Sequence, residues 1–338
     1  MNLLALNSFS ALLIILFSAF LWGSWFQCIK HLGDYPIDGY LLHVFFFSVL
    51  LVITVMVILV GGDLVTIIAS KLQTRPVVIY GTLVCGAMYA IGMRINLNVM
   101  SKMGLILATA ISSTGSVLIG TGISIVTKSI DPNANLWLVL LAAFVLVFAS
   151  MACVYSIKMK NAGLQQVVNE KNTDSESLRN AVITLLVTSL IFAPCYTLGM
   201  SIGLESPQNP SGLPPIVFMF FLSLGAFIGI GIVCSLILMN KKIFKRSLLH
   251  APWKVRIFGL ISAFAHYGGN IIHSFATPVV SLAISWPLGQ TYNMWSYVWG
   301  LVYGEYKGAS RKVRLTLGLG IGSYISGILL LGFALYWN

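Results

Sequence analysis

The sequence predicts an all-α integral membrane protein, with ten transmembrane helices folded as two inverted five-helix repeats. Three observations carry that expectation. Only 9% of the 338 residues are charged and 58% are apolar, whereas a soluble domain carries about 25% charged residues. The apolar residues fall in blocks of about 20, the length that crosses a hydrocarbon core of about 30 Å as a helix. The longest hydrophilic stretch, 157–179, leaves five such blocks on either side. An odd number per half forces the halves into opposite orientations, the inverted-repeat arrangement of many transporters.

By the length criterion the spans are about 8–27, 39–60, 77–101, 104–127, 136–156, 180–202, 214–239, 255–275, 277–302 and 315–336. They group as an N-terminal repeat (1–156), a central cytoplasmic loop (157–179) and a C-terminal repeat (180–338). The first block lacks a basic n-region and a clear cleavage site, so it is read as a retained span and not a signal peptide. Only Lys102 and Met103 separate spans three and four, and spans eight and nine meet at Ala276–Pro278. Joins this short imply antiparallel hairpins. A weak internal repeat supports the division into halves. Ala110-Ile111-Ser112 opens a Ser/Thr/Gly-rich stretch in span four, and Ala283-Ile284-Ser285 does the same in span nine, 173 residues later.

Charge sets the expected topology. With the N-terminus outside, sixteen Lys and Arg fall in inner loops, Lys71, Arg75 and Lys128 fall in outer loops, and Arg94 lies inside a span. The positive-inside rule then places both termini outside, in a multi-pass protein of the cell membrane (the inner membrane of a Gram-negative cell). The same rule accounts for the net charge of +11 without nucleic acid. The five cysteines lie in or beside apolar segments without C-x-x-C spacing, so neither a disulfide framework nor a metal site is expected.

Polar residues inside a membrane helix are expensive and face the bundle interior or a cavity. Arg94 is the outstanding case, because a cation near the bilayer centre costs at least ~2.5 kcal/mol. With Asn98 one turn on, it reads as a substrate clamp, or as a side chain snorkelling to the interface. Asn96 points elsewhere on that helix and reads as a helix–helix contact. Span eight carries His266, Asn270 and His273 on one face. The histidines are candidate proton carriers, because imidazole titrates near neutral pH, and Asn270 is a candidate substrate contact. Simple interhelical hydrogen bonding is the alternative for all three. In span nine Trp286-Pro287 should break the helix, and freed backbone at membrane depth lines cavities. Gln290 and Asn293 follow there, offering donors and acceptors suited to hydroxyl- or amide-rich solutes. Ser112, Ser113 and Thr114 form the matching patch in span four. At the end of span one, Trp22, Trp25 and Gln27 read as an interfacial belt or as a ring platform with a hydroxyl-binding amide. Glu305 closes span nine as an inner-gate acid or a solvated helix end.

Some matches are set aside. Gly199-Met200-Ser201-Ile202-Gly203 fits G-x-S-x-G but ends an apolar helix instead of joining a strand to one. Gly225 and Gly229 fit GxxxG and predict close helix packing. The sequence holds no P-loop and no H-E-x-x-H. An ion gradient or the solute's own gradient is therefore the expected energy source, with no cofactor, no metal and no enzymatic activity.

Several segments carry a family resemblance. Ala283-Ile284-Ser285-Trp286-Pro287-Leu288-Gly289-Gln290, then Trp299-Gly300 and Gly304-Glu305-Tyr306-Lys307-Gly308-Ala309, resemble the end of glucose/ribose-uptake permeases of the drug/metabolite transporter superfamily. Trp22-Gly23-Ser24-Trp25 resembles the first-helix motif of those permeases and of ureide permeases. Gly86-Ala87-Met88-Tyr89-Ala90-Ile91-Gly92 is similar to the third helix of rhamnose–proton symporters. The resemblance implies two inverted five-helix repeats around a central cavity, and uptake of a sugar or related metabolite with protons. The expected partners are a small solute, membrane lipid and protons, with a homodimer as a candidate assembly. A carrier or exporter of an anionic or nitrogen-rich metabolite, with Arg94 as counter-ion, is the alternative.

Overall fold

The computed structural model describes residues 6–103, 105–165, 180, 183–184, 187–188 and 190–337, with backbone only at 100–103, 105–113, 161–165 and 193. In chain order the helices are α1 (Ser8–Trp25), α2 (Ile37–Val60), α3 (Leu64–Thr74), α4 (Val77–Met103), α5 (Leu105–Val126), α6 (Leu136–Gln165) and α7 (Ala193–Gly203). They continue as α8 (Pro215–Asn240), α9 (Phe244–Leu248), α10 (Trp253–Val280), α11 (Leu282–Gly289), α12 (Tyr292–Val302) and α13 (Arg311–Tyr336). Among the described residues there is no strand, only isolated bridges beside Leu204–Leu213.

Local sequence explains where the helices begin. Asn7 Oδ1 accepts the Ser10 N–H at 2.8 Å, and Ser310 Oγ accepts the Val313 N–H at 3.3 Å, capping α1 and α13. Both satisfy an amide the first turn leaves without a partner. Pro36, Pro214 and Pro252 precede α2, α8 and α10 in extended conformation. Proline cannot continue a helix backwards from these positions, having no N–H to donate.

Six stretches are long and apolar enough to cross a membrane: Ser8–His31, Ile37–Thr74, Val77–Val99, Leu136–Lys160, Pro215–Asn240 and Arg311–Tyr336. Their outer faces are oily. Phe17, Ile58, Phe144, Ile232 and Leu329 all lie exposed. Inside, His266, Asn270, His273, Thr277, Ser285 and Asn293 are buried. Water would favour the reverse distribution; hydrocarbon favours this one. The protein is therefore a membrane-embedded helical bundle.

The helices pair selectively. α4 packs on α8, α10 on α2, α1 on α10, α7 on α4, α2 on α8 and α6 on α13. The α4–α8 contact is close because small residues line it. A Cβ at Gly225 would collide with the Leu83 carbonyl, one at Gly86 with the Leu222 carbonyl, and one at Gly229 would meet the Ala87 carbonyl at 2.8 Å. The GxxxG expectation holds, and hydrocarbon leaves such van der Waals packing to hold the helices together.

Several boundaries differ from the sequence reading. α1 runs on as a 3₁₀ segment, Phe26–His31. Helix α3 was not expected. It is only eleven residues, contains no buried residue, and follows Gly61-Gly62. α6 continues to Gln165, nine residues into the expected central loop, because Ile157–Gln165 holds no proline or acid to stop it. α10 continues through Pro278 to Val280, so the join with the next helix lies at Ser281 and not at Ala276–Pro278. Span nine is two helices, α11 and α12.

A Gly225→Val substitution should cost about 1–3 kcal/mol by overpacking against α4. It should lower the melting temperature in detergent by several degrees. Gly231, on the same helix with nothing within 4 Å of its Cβ position, should tolerate alanine without loss.

Candidate functional site

The broken helix builds one wall of the site. Ser281 sits at φ 71°, ψ 158°, a region essentially restricted to glycine and costing about 1–3 kcal/mol for another residue. The Ser129 carbonyl secures the turn, accepting the Leu282 and Ala283 N–H groups at 3.1 and 3.3 Å. Ser129 Oγ meets Ser201 Oγ at 3.1 Å. Pro287 lies inside α11, and the ladder gives way just after it. The Gln290 N–H still reaches the Trp286 carbonyl at 3.0 Å, but the Thr291 N–H turns back three residues to Leu288 at 3.2 Å. The expected break is therefore real but displaced one turn downstream. Asn293 Nδ2 donates to the Gln290 carbonyl at 3.1 Å, supplying one partner that the break removed.

Between α1, α4, α5, α7, α10, α11 and the start of α12 lies a cavity of about 90 Å³. At ~10–15 Å³ per enclosed water it has room for roughly six to nine waters, or a solute of similar size. Aromatic rings dominate its wall: Trp22, Trp25 and Phe26 from α1 and its extension, Tyr89 from α4, Tyr196 from α7, Trp286 from α11 and Tyr292 from α12. Asn96, Ser116, His266 and Gln290 add polar groups. Among the described residues, no Asp, Glu, Lys or Arg lines it.

The rings hold one another in place. Trp25 stacks on His266 with centroids 4.9 Å apart and an interplanar angle of 15°. Tyr196 stacks on Trp286 at 5.6 Å and lies 5.2 Å from Tyr89. Tyr89 Oη is 3.2 Å from His266 Nε2. Trp286 Nε1–H donates to the Ser116 carbonyl at 2.9 Å. A Cβ at Gly120 would occupy the indole's position, so glycine one turn beyond Ser116 makes room for that ring.

Of the sequence-predicted residues, the structure brings Trp22, Trp25, His266 and Gln290 together at the cavity. Arg94 does not join them. Its Nε donates to Asp38 Oδ1 at 2.8 Å and its Nη2 reaches Oδ2 at 3.4 Å. The pair is largely out of solvent, with side-chain exposures of 17% and 4%, and Cys234 Sγ lies 3.6 Å from Asp38 Oδ1. On α4 the cavity face runs through Tyr89, Met93, Asn96 and Leu97, and Arg94 is turned from it towards α2. Asn98, half-buried on α4, is also absent from the wall. The Arg94–Asn98 clamp is corrected accordingly. Asn96 does make the expected helix–helix contact, accepting from Thr188 Oγ1 at 2.5 Å, but it lines the cavity as well.

Asn270 and Asn293 are buried beside the wall and not in it. Neither amide atom of Asn270 has a hydrogen-bond partner among the described residues. His273 is engaged on both nitrogens. Nε2 faces the Ser285 carbonyl at 3.2 Å and Nδ1 faces Thr277 Oγ1 at 3.3 Å. A carbonyl only accepts, so the proton sits on Nε2, and His273 acts as a tie between α10 and α11. Gln27 is buried in the 3₁₀ extension, its Nε2 3.4 Å from the Gly23 carbonyl. Thr114 is half-buried and not in the wall; the side chains of Ser112 and Ser113 lie outside the described residues. Glu305 pairs with Lys30 at 2.5 Å, with about 30% of each side chain exposed. Its carbonyl accepts from Lys160, and Lys30 lies 4.6 Å from the Tyr303 ring centroid.

Sequence reasoning missed Tyr89, Ser116, Tyr196, Trp286 as a wall residue, Tyr292 and the acid Asp38. The spacing of Tyr89, Met93 and Asn96 on one helical face was the available signal on α4. Ser116 is one turn beyond the flagged Ser112. Asp38 escaped because span two was started one residue later. Nothing around Tyr196 marks it. No protein-family model matches this chain and no curated protein matches it, so the functional reading rests on the chemistry of the site.

Proposed function

We propose that the protein is a secondary transporter of a small uncharged polar solute, with sugars and related metabolites as the first class to test. The observation that carries this reading is the cavity's wall: aromatic faces and neutral hydrogen-bonding groups, without an ionic side chain among the described residues, deep in a membrane-embedded bundle. Ring faces of Trp and Tyr cover the apolar faces of a sugar or heterocycle, and Gln290 and Asn96 offer both donors and acceptors. The likeness to drug/metabolite transporters in spans one, three and nine points the same way.

Alternating access by two inverted five-helix halves is the proposed mechanism. Its support is the pairing pattern. Exchanging spans one to five with six to ten maps the α4–α8 contact onto α10–α2, and α1–α10 onto α7–α4; all four contacts occur. Cavity residues come from both halves. Of the two candidate proton carriers, His266 faces the cavity and keeps a nitrogen, Nδ1, without a partner among the described residues. It is the one to test. The anionic-substrate alternative loses support because the Arg94 guanidinium is already engaged by Asp38.

In a thermal-shift screen, neutral sugars or ureides should raise the melting point and organic acids should not; a shift by carboxylates alone would reject the neutral-solute reading. Gln290→Ala should weaken binding of the ligand found about two- to thirteenfold, the value of one hydrogen bond of ~0.5–1.5 kcal/mol. Titration of the purified variant by calorimetry checks this.

Arg94→Gln alone should destabilise the protein by about 3–5 kcal/mol, because it strands the buried Asp38 carboxylate. Combining it with Asp38→Asn should restore the melting temperature and retain solute binding. An ionic role for Arg94 at the substrate would instead leave the double variant stable and unable to bind.

His266→Gln should retain solute exchange in proteoliposomes and lose the accumulation that an inward proton gradient drives. If wild-type accumulation survives collapse of the gradient, proton coupling is rejected and facilitated transport remains.

A further inference from the structure

The turn between α8 and α10 gathers six cations, Lys241, Lys242, Lys245, Arg246, Lys254 and Arg256, within sixteen residues. The chain has no Asp or Glu between Glu205 and Glu305. Among the described residues, none of the six takes part in a salt bridge. All but Arg256 are exposed. With no acid in this stretch to offset them, the cations repel one another and attract anions over a screening length of ~8 Å at physiological salt.

The segment is held in shape. The Lys242 and Ile243 N–H groups donate to the Met239 and Leu238 carbonyls at 2.9 and 3.0 Å. Tyr35 Oη donates to the Ser247 carbonyl from the neighbouring loop. Arg256 Nη2 donates to the Leu249 carbonyl at 2.7 Å, pinning the far end of the turn to α10. Set among the cations are two large apolar side chains, Leu249 and Trp253, 61% and 73% exposed. Their height is fixed by the flanking helices. The apolar run of α8 ends at Asn240 and α10 begins at Trp253, so the turn sits where both helices meet the headgroup layer.

We propose that this turn is a binding site for anionic phospholipid, with the lipid phosphate among Lys241, Lys242, Lys245 and Arg246 and with Trp253 and Leu249 at the glycerol and upper acyl level. Free phosphate would satisfy the cations and leave both apolar side chains in water. A lipid satisfies both. Tryptophan at a headgroup boundary is a common anchor, and each Lys or Arg near an anionic surface strengthens attachment by about fivefold. The inference depends on membrane embedding alone and stands apart from the transport reading.

The test uses the full chain in nanodiscs of phosphatidylcholine with and without phosphatidylglycerol. Melting temperature and retained lipid, the latter by native mass spectrometry, are read out. Phosphatidylglycerol should raise the melting temperature and stay bound, with the gain reduced in 0.5 M salt. Replacing Lys241, Lys242, Lys245 and Arg246 by Gln should cut phosphatidylglycerol retention at least tenfold while melting in phosphatidylcholine stays as in wild type. Trp253→Ser, a milder change, should weaken retention severalfold. Neutralising Lys307, Arg311, Lys312 and Arg314, which have Glu305 nearby, serves as the control. If it removes as much lipid as the first set, the attraction is diffuse and the site is rejected. An equal stabilisation by inorganic phosphate in phosphatidylcholine discs would also overturn the proposal, as would no response to phosphatidylglycerol.

Discussion

Hydrocarbon on the outside leaves polar side chains one place to go, the space between helices. That constraint organises this protein. An unsatisfied polar group in lipid costs several kcal/mol, so the His, Asn, Ser and Thr of α10 to α12 are collected inward while Phe17, Ile58 and Leu329 face outward. The collected groups must then satisfy one another. His273 with Ser285 and Thr277, Ser18 with the Gly269 carbonyl, and Tyr40 with Ser262 are such pairings. The groups left over are informative. Asn270, with both amide atoms unpaired among the described residues, sits one turn from His266 at the cavity.

The same constraint explains the Asp38–Arg94 pair. A buried cation facing a cavity would make that cavity an anion site. Here the guanidinium is answered by a carboxylate from α2, which keeps the charge out of the cavity wall. A buried ion pair is weak evidence for stability, because desolvation offsets most of its attraction. Its consequence lies in what it leaves behind, a wall whose polarity, among the described residues, comes from amides, hydroxyls, indoles and one imidazole.

Periodicity and length made the helices legible in the sequence. The starts of α2, α4, α6 and α8 fall within two residues of the expected positions because each begins at a proline or a sharp drop in polarity. The ends of α6 and α10 were less legible. A polar but helix-compatible run carries α6 on to Gln165, and Pro278 is absorbed within α10. At the site, single-residue oddities such as His266 and Gln290 were readable because polarity at membrane depth is rare. Tyr89, Tyr196 and Trp286 were not, since an aromatic ring in an apolar helix looks the same whether it faces lipid, core or cavity. Arg94 was noticed for the right reason and misassigned, since its partner lies 56 residues away, one position outside the expected start of span two.

Two unlike sets of contacts hold the elements that carry the wall residues. Near Ser281 the turn between α10 and α11 is held by neutral hydrogen bonds that the Ser129 carbonyl accepts, with Ser129 itself beside Ser201 of α7. Near the end of α12, Lys30 pairs with the Glu305 carboxylate and Lys160 donates to the Glu305 backbone carbonyl, with Tyr303 and Tyr306 beneath the two ammonium groups. The Lys30–Glu305 pair is partly exposed, where such a pair is worth about 0–1 kcal/mol. The neutral set joins a strained backbone to a short helix that carries Trp286. One part of the cavity wall therefore hangs on a short helix, strained at one joint and broken at the next, and the proposed alternating access would draw on that joint.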